Sequence, residues 1–254
     1  MEITVGRVIA ILIAGFVAGI MNTLAGGGSF IALAALDLTG LSTIAANGTN
    51  RVAIVFQDIA ALAGFRSKGV SGVRASLHFA IPALFGAILG AYIVVNMPEI
   101  VFQRVLGVTM LIVLVVLIVN PKKWLSGREV EMTPRRRALT YLVFFGVGIY
   151  GGAIQAGIGI FIIMALVLTA GVDLIKANWH KAIIGGVYTL FALATFALRG
   201  EVHWGLGIIL AVGNSTGAWF SSRLAVARGQ QVVRIVLAIS LVILSARYLG
   251  LFTF

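Results

Sequence analysis

Ten apolar runs fill this chain almost end to end: 3–24, 28–40, 42–65, 75–95, 100–119, 138–156, 159–171, 174–198, 204–222 and 231–250. A helix needs about 20 mostly apolar residues to cross a bilayer, and most of these runs reach or approach that length. The runs 28–40 and 159–171 do not. At 1.5 Å per residue each rises under about 20 Å, too short to cross unaided. Composition closes the soluble alternatives. Of 254 residues, 60% are hydrophobic and 11% charged, against roughly 45–50% and about 25% in soluble domains. A water-soluble enzyme or nucleic-acid binder is excluded, so the net charge of +11 reads as cationic cytoplasmic loops facing a lipid bilayer, with an anionic solute as the further implication. A cleaved signal peptide is not expected at the start, because the apolar run continues into glycine-rich sequence without a cleavage site. Absence of Cys excludes disulfides and thiolate sites, and three His leave little room for a metal site. No cofactor or metal is expected.

The two halves align at a shift of 131 residues. Ala25-Gly26-Gly27-Gly28-Ser29-Phe30-Ile31 falls on Ala156-Gly157-Ile158-Gly159-Ile160-Phe161-Ile162, Gly40 on Gly171, Ala46-Asn47 on Ala177-Asn178, and Ala61-Leu62-Ala63 on Ala192-Leu193-Ala194. Between 15–69 and 146–200 there are 16 identities in 55 ungapped positions, where chance in so biased an alphabet gives about four or five. Shared membrane composition explains Leu and Ile matches, but not aligned glycine spacing and an Ala-Asn pair, so duplication is the better reading. The expected fold is an all-α polytopic membrane protein with about eight transmembrane spans plus glycine-broken short helices. It divides into a first repeat over 1–125 and a second over 126–254, joined by a polar linker over 120–137. Loop charge orients it. Arg66, Lys68 and Arg74 lie in one loop, and Lys122, Lys123, Arg128 and Arg135 to Arg137 in another two crossings later. If 138–171 returns to its own side, Lys176, Lys181, Arg223 and Arg228 join them on the cytoplasmic side and Arg199 lies outside. Each repeat then has an odd number of crossings, and the repeats are inverted.

Gly26-Gly27-Gly28 interrupts an otherwise helical stretch, and each Gly costs about 1 kcal/mol in a helix interior. Gly157-x-Gly159 repeats the interruption. In hydrocarbon, broken backbone is tolerated only where it lines a cavity or is buried in protein. The first amides of the short helices would then be free donors with a partial positive charge, and two such ends facing each other at mid-depth make an anion site. Scattered glycines such as Gly15, Gly19, Gly86 and Gly90 read instead as close helix contacts.

Polar residues inside spans default to functional hypotheses. Asn47, Thr49, Asn50 and Arg51 lie early in 42–65, with Asp58 seven residues on, where an internal Arg51–Asp58 pair would neutralise both. The matching place in the second half carries Asn178, Trp179, His180 and Lys181. The candidate substrate ligands are Gly26, Gly27, Gly28, Ser29, Asn47, Thr49, Asn50, Arg51, Gln155, Gly157, Gly159, Asn178, His180 and Lys181. Asn22 and Thr23 either join them or satisfy freed carbonyls. Asp58 and His180 are the proton-coupling candidates. Asn214-Ser215-Thr216 is expected to bond between helices, and Trp124, Trp179 and Trp204 to anchor at the interface.

Gly15-x(3)-Gly19-x(6)-Gly26-Gly27-Gly28-Ser29-Phe30-Ile31, followed by Gly40-Leu41-x(4)-Ala46-Asn47-Gly48-Thr49-Asn50, resembles the sulfite exporter TauE/SafE family, and the resemblance covers essentially the whole chain. Family members often carry Pro after the first glycine motif, where this chain has Ala34-Ala35-Leu36, and Ile158 replaces a middle Gly in the second motif. The resemblance implies a permease for sulfite, sulfonates, sulfoacetate or other small organic anions in the cell (inner) membrane. The expected protein is therefore a secondary transporter working by alternating access, not an enzyme, with coupling ion or proton and homodimer formation left open. No G-x(4)-G-K-[ST] motif is present to drive it with ATP. The rivals are an intramembrane hydrolase with Ser29 as nucleophile and His180 or His203 as base, and an anion channel.

Overall fold

The computed structural model describes residues 4–24, 26–67, 73–119, 132–172, 174–224, 239 and 241–251. The linker segment 120–131 with Lys122, Lys123, Trp124 and Arg128, and also Ala25, Lys68 and Arg228, lie outside the described residues. Among the described residues the fold is all-helical. The first half gives α1 (Val5–Leu24), α2 (Ser29–Asp37), α3 (Thr43–Arg66), α4 (Val73–Val95) and α5 (Glu99–Val119). The second gives α6 (Pro134–Ala153), α7 (Ile158–Ala170), α8 (Leu174–Leu198) and α9 (Trp204–Leu224), with α10 over 241–248. In order, α1, α3 and α4 correspond to α6, α8 and α9 with nearly equal lengths, and α2 and α7 are the short helix of each half. Gly26 and Gly157, aligned in sequence, both take the left-handed conformation at φ 79° and 78°, which only glycine adopts without penalty.

Helix limits follow from local chemistry. Ser42 caps α3, its side chain accepting from Ala45 N at 3.1 Å. Glu99 reaches the same end from α5, accepting from Thr43 N at 2.6 Å and Ile44 N at 3.4 Å. This places a carboxylate against the positive end of the α3 dipole. Thr133 caps α6 ahead of Pro134, accepting from Arg136 N at 3.3 Å, where proline's fixed φ suits the first helical position. Gly171 closes α7 in the left-handed conformation, with Gly171 N donating to Val167 O, the 5→1 bond of an αL cap. Asp37, at the end of α2, pairs with Arg247 of α10 at 2.6 Å.

The packing is inside-out relative to a soluble protein. Asn47, Thr49, Asn50 and Arg51 are fully buried, and Gln57 and Asp58 nearly so. Ile13, Ile59, Phe85, Leu142 and Val212 are exposed, an apolar surface that water would not tolerate and lipid does. Among the described residues four helices, Val5–Leu24, Ser76–Val95, Glu99–Val116 and Lys176–Leu198, are long and apolar enough to cross a membrane. The scattered glycines make close helix contacts. Gly15 and Gly19 of α1 abut the backbone of α9 around Asn214, and Gly86 and Gly90 of α4 abut α6 around Phe145 and Ile149. Each residue order is increasing in both partners, so these pairs run parallel. In contrast α3 and α8, repeat mates, run antiparallel: Arg51 stacks on Phe196 while Asp58 meets Gly185. Partner choice also crosses between halves, since α1 packs on α9 as α6 packs on α4, and α3 packs on α9 as α8 packs on α4.

Two expectations are corrected. Trp179 does not anchor at an interface but is 4% exposed inside the molecule, on the face of α8 that packs against Ala61 and Phe65. Thr216 bonds back to Val212 O and Gly213 O of its own helix rather than to another, because its side chain is on the exposed face of α9, away from the Gly213 and Gly217 face that packs on α1. Trp204 is exposed at the start of α9, as an interfacial residue would be.

Replacing Glu99 by Ala should cost about 1 kcal/mol of stability through the lost α3 cap. The expected readout is an unfolding midpoint in detergent lower by about 2–4 °C.

Candidate functional site

The two glycine breaks meet. A Cβ added at Gly159 would lie 2.7 Å from Gly26 Cα, and one at Gly26 would lie 2.8 Å from Gly159 Cα, so no larger residue fits at either. Beside this contact is a small cavity lined by Asn22, Gly26 and Ser29 from the first break, Gln155, Ile158, Gly159 and Ile162 from the second, Ile54, Gln57 and Asp58 from α3, and Lys181, Gly185 and Tyr188 from α8. It offers about 30 Å³ to a water-sized occupant, room for one or two waters. The other break residues pack away from it: Gly28 against the Ala18 carbonyl, and Gly157 against Val113 and Phe30.

The cations hold helix ends. Arg51 of α3 donates from Nη1 to Gly151 O (3.1 Å) and Gln155 Oε1 (3.3 Å), and from Nη2 to Gly152 O. Its guanidinium carbon lies 4.6 Å from the Phe196 ring centre. Lys181 of α8 donates to Asn22 O (3.0 Å), Thr23 O (3.2 Å) and Asn178 Oδ1 (3.2 Å). Each half thus supplies a cation that closes the C-terminus of the broken helix of the other half. Those ends carry partial negative charge and unmatched carbonyls, which in lipid have no water to turn to. The expected Arg51–Asp58 pair is not formed. Arg51 turns to α6, while Asp58 shares the cavity with Lys181 and interacts with its charge, with Gln57 Nε2 donating to Asp58 Oδ1 at 3.4 Å.

Around the first break Asn22 is the hub. Its Oδ1 accepts from Ser29 N at 3.0 Å, capping α2, and its Nδ2 donates to Gln57 Oε1 (2.9 Å) and Ser29 Oγ (3.2 Å). Gln155 mirrors it at the second break with a left-handed φ of 63°, a strained conformation for a residue with a side chain. Its side chain is fixed between Arg51 and Thr189, to whose Oγ1 it donates at 3.2 Å. The Tyr188 hydroxyl is buried without a partner and its residue lines the cavity.

Of the residues singled out from sequence, Gly26, Ser29, Gln155, Gly159, Lys181 and Asp58 come together at the cavity. Asn178 supports Lys181. Asn47 donates to Ala153 O at 2.7 Å, and Thr49 Oγ1 accepts from His203 N at 2.9 Å. The Asn50 side chain is buried without a partner, and Gly27, like Gly28, is buried outside the lining. His180 Nδ1 lies 2.6 Å from Ser76 Oγ, and His203 Nδ1 accepts from Leu206 N, so the structure gives Ser29 an Asn22 partner where the hydrolase reading needed a histidine. Sequence reasoning missed Gln57 and Tyr188. The signal was present: the shift of 131 residues that aligns the breaks also carries Gln57 onto Tyr188.

An inside-out helical bundle with two breaks meeting at a small cavity defines an integral membrane protein. The chain matches the model of the family described as sulfite exporter TauE/SafE over residues 11–248, and it belongs to that family. It is 26% identical over 240 residues to "Probable membrane transporter protein ORF9" of Sinorhizobium sp, covering 94% of this chain and 91% of that one. It is 26% identical over 252 residues to a "Probable membrane transporter protein" of Haemophilus influenzae (97% and 96% covered), and 29% identical over 235 residues to "Probable membrane transporter protein YfcA" of Escherichia coli K12 (91% and 86%). No solved structure matches it significantly. The protein is a membrane transporter, and placement in the inner membrane agrees with these relatives.

Replacing Arg51 by Ala would leave the carbonyls of Gly151 and Gly152 buried and unmatched. At roughly 1–3 kcal/mol for each buried group left unsatisfied, the expected loss is about 3 kcal/mol, read as a lower denaturation midpoint in detergent, with Arg51→Lys recovering part of it.

Proposed function

We propose that this chain is a secondary transporter of small organic or sulfur-containing anions, with sulfite, sulfonates and sulfoacetate as the substrate class, and that it works by alternating access around the cavity between the glycine breaks. The observation that carries the reading is that both breaks border one buried polar cavity, which also holds the Lys181 charge and the unpartnered Tyr188 hydroxyl. The helix N-termini and the Lys181 charge make the cavity positive, and the Tyr188 hydroxyl adds a donor, a combination suited to an oxoanion. Gly26, Ser29, Gln155, Gly159, Lys181 and Tyr188 contact the anion in this scheme, with Asn22 orienting the first break. Arg51, Asn47, Thr49 and Asn178 keep the framework in register. The family's description as sulfite exporters is the support for sulfur chemistry.

Two repeats, 1–125 and 126–254, form the moving halves, inverted relative to one another, with about eight long membrane-embedded helices in all; in each half the broken helix and its short partner return to one side, which leaves an odd number of net crossings. Antiparallel packing of the repeat mates α3 and α8 supports inversion, and α2 and α7 are too short to cross. With the basic ends after α3 and around Arg135 to Arg137 on the cytoplasmic side, Arg223 falls on that side too and Arg199 outside. Rocking of one half against the other would open the small cavity to each face in turn.

The test is uptake of labelled sulfite, sulfonates and carboxylates by purified protein in liposomes. Saturable uptake with counterflow supports the transporter, whereas non-saturating flux without counterflow would make it a channel. Gly159→Leu should abolish uptake while the protein still inserts. Tyr188→Phe, losing one hydrogen bond worth about 1 kcal/mol, should raise KM about fivefold with little change in maximal rate.

A further inference from the structure

Asp58 is the one cavity group that the anion reading leaves unexplained. A carboxylate lines the same small space as the donors, and an ionised carboxylate beside a bound anion, away from water, is strongly unfavourable. Gly185 is the reason it can sit there. A Cβ at that position would lie 2.7 Å from Asp58 Oδ2, so a glycine one turn beyond Lys181 on α8 makes room for this side chain.

The surrounding charges are fixed. Lys181 has its three N–H groups within bonding distance of Asn22 O, Thr23 O and Asn178 Oδ1, so its charge is pinned at the wall against the end of α1. From α8, Lys181 and Tyr188 face Asp58; from α1 and α2 come Asn22 and Ser29, which do not titrate; and α5 and α9 bring no titratable group to the cavity among the described residues. Arg51, on Asp58's own helix, is engaged with α6. Gln57 Nε2, at 3.4 Å from Oδ1, is the hydrogen-bond partner found for Asp58 among the described residues, and no ion pair within 4 Å joins it to Lys181 there. The cavity walls therefore carry one fixed positive charge and one negative charge that a proton can remove.

We propose that Asp58 takes up one proton for each monovalent anion that enters the cavity, so that anion and proton cross together in the same direction. The carboxylate accepts a proton from the side to which the cavity is open, becomes a carboxylic acid, and offers its O–H to the anion. When the anion leaves on the other side the proton is released there. Wall and cargo sum to the same charge with the cavity empty or filled, which is the condition for carrying an anion through a low-dielectric interior at low cost. His180, whose Nδ1 is held by Ser76 Oγ, is not a cavity group and has no part in this step. The proposal rests on the anion-transport reading above.

The test uses purified full-length protein in liposomes that contain a pH-sensitive dye, with methanesulfonate and sulfoacetate as probes. Methanesulfonate carries no titratable proton of its own near neutral pH, so any proton movement reports on the protein. Wild-type protein should move about one proton inward per methanesulfonate, and an acid-outside gradient should drive its accumulation about tenfold or more. Asp58→Asn should lose that accumulation, and its residual exchange should not vary between about pH 5 and pH 8, while Asp58→Glu should recover coupling. Methanesulfonate transport by the wild type without proton movement, transport of the sulfoacetate dianion but not of methanesulfonate, or an Asp58→Asn protein still driven by the pH gradient, would overturn the proposal and leave anion transport standing. Should neither the sulfonates nor sulfite be moved by the wild type, both readings fall. The wild-type stoichiometry decides the matter even if neither variant folds.

Discussion

A helix that stops inside a membrane leaves carbonyls that nothing outside the protein can satisfy, and the whole arrangement depends on how those carbonyls are met. Here each broken helix is closed by a cation from the other half. Arg51 binds the end of α6 and Lys181 the end of α1. A buried guanidinium or ammonium costs several kcal/mol in desolvation, and a helix C-terminus with two or three acceptors in range is among the few partners that offset it. The exchange ties the halves together at the point where their backbones touch, between Gly26 and Gly159.

The two closures are related by the repeat but are not equivalent. Arg51 is completely buried, stacked on Phe196 and away from the cavity, whereas Lys181 borders it with Asp58 and Tyr188. One cation is therefore sealed in the packing, and the other does the same work at the wall of the cavity. The segments aligned by the shift of 131 residues differ at Asn50 against Lys181 and at Gln57 against Tyr188, so the second supplies the cavity's cation and phenol while the first supplies Asp58 and Gln57.

Much of this was legible in the sequence. The ten apolar runs, the two short ones, the glycine breaks and their recurrence each follow from period, length and backbone cost, and the aligned Gly26 and Gly157 share one unusual conformation in the structure. Partners across the fold were not legible. Arg51 and Asp58 stand on the same helical stripe, so spacing alone pairs them. Arg51's actual partners are a hundred or more residues away, and the carbonyls of Gly151 and Gly152 among them are backbone groups, which no side-chain pattern announces. Trp179 was misplaced for a related reason: aromatic residues near a helix start are interfacial only when the helix starts at the interface with that face outward, and α8 turns it against Ala61 and Phe65. Tyr188 escaped notice because a tyrosine in an apolar helix looks like packing until its hydroxyl is found without a partner.

The central claim is that the meeting of the two breaks is where the anion binds. The most direct measurement is an anomalous-scattering map of the protein crystallised with selenite, a heavier isostere of sulfite. The account predicts one strong selenium peak in the cavity, within hydrogen-bonding reach of the Tyr188 hydroxyl and bordered by Gly26, Gly159 and Lys181. A protein that transports selenite yet shows the peak elsewhere, with the Gly26–Gly159 contact empty, would contradict it.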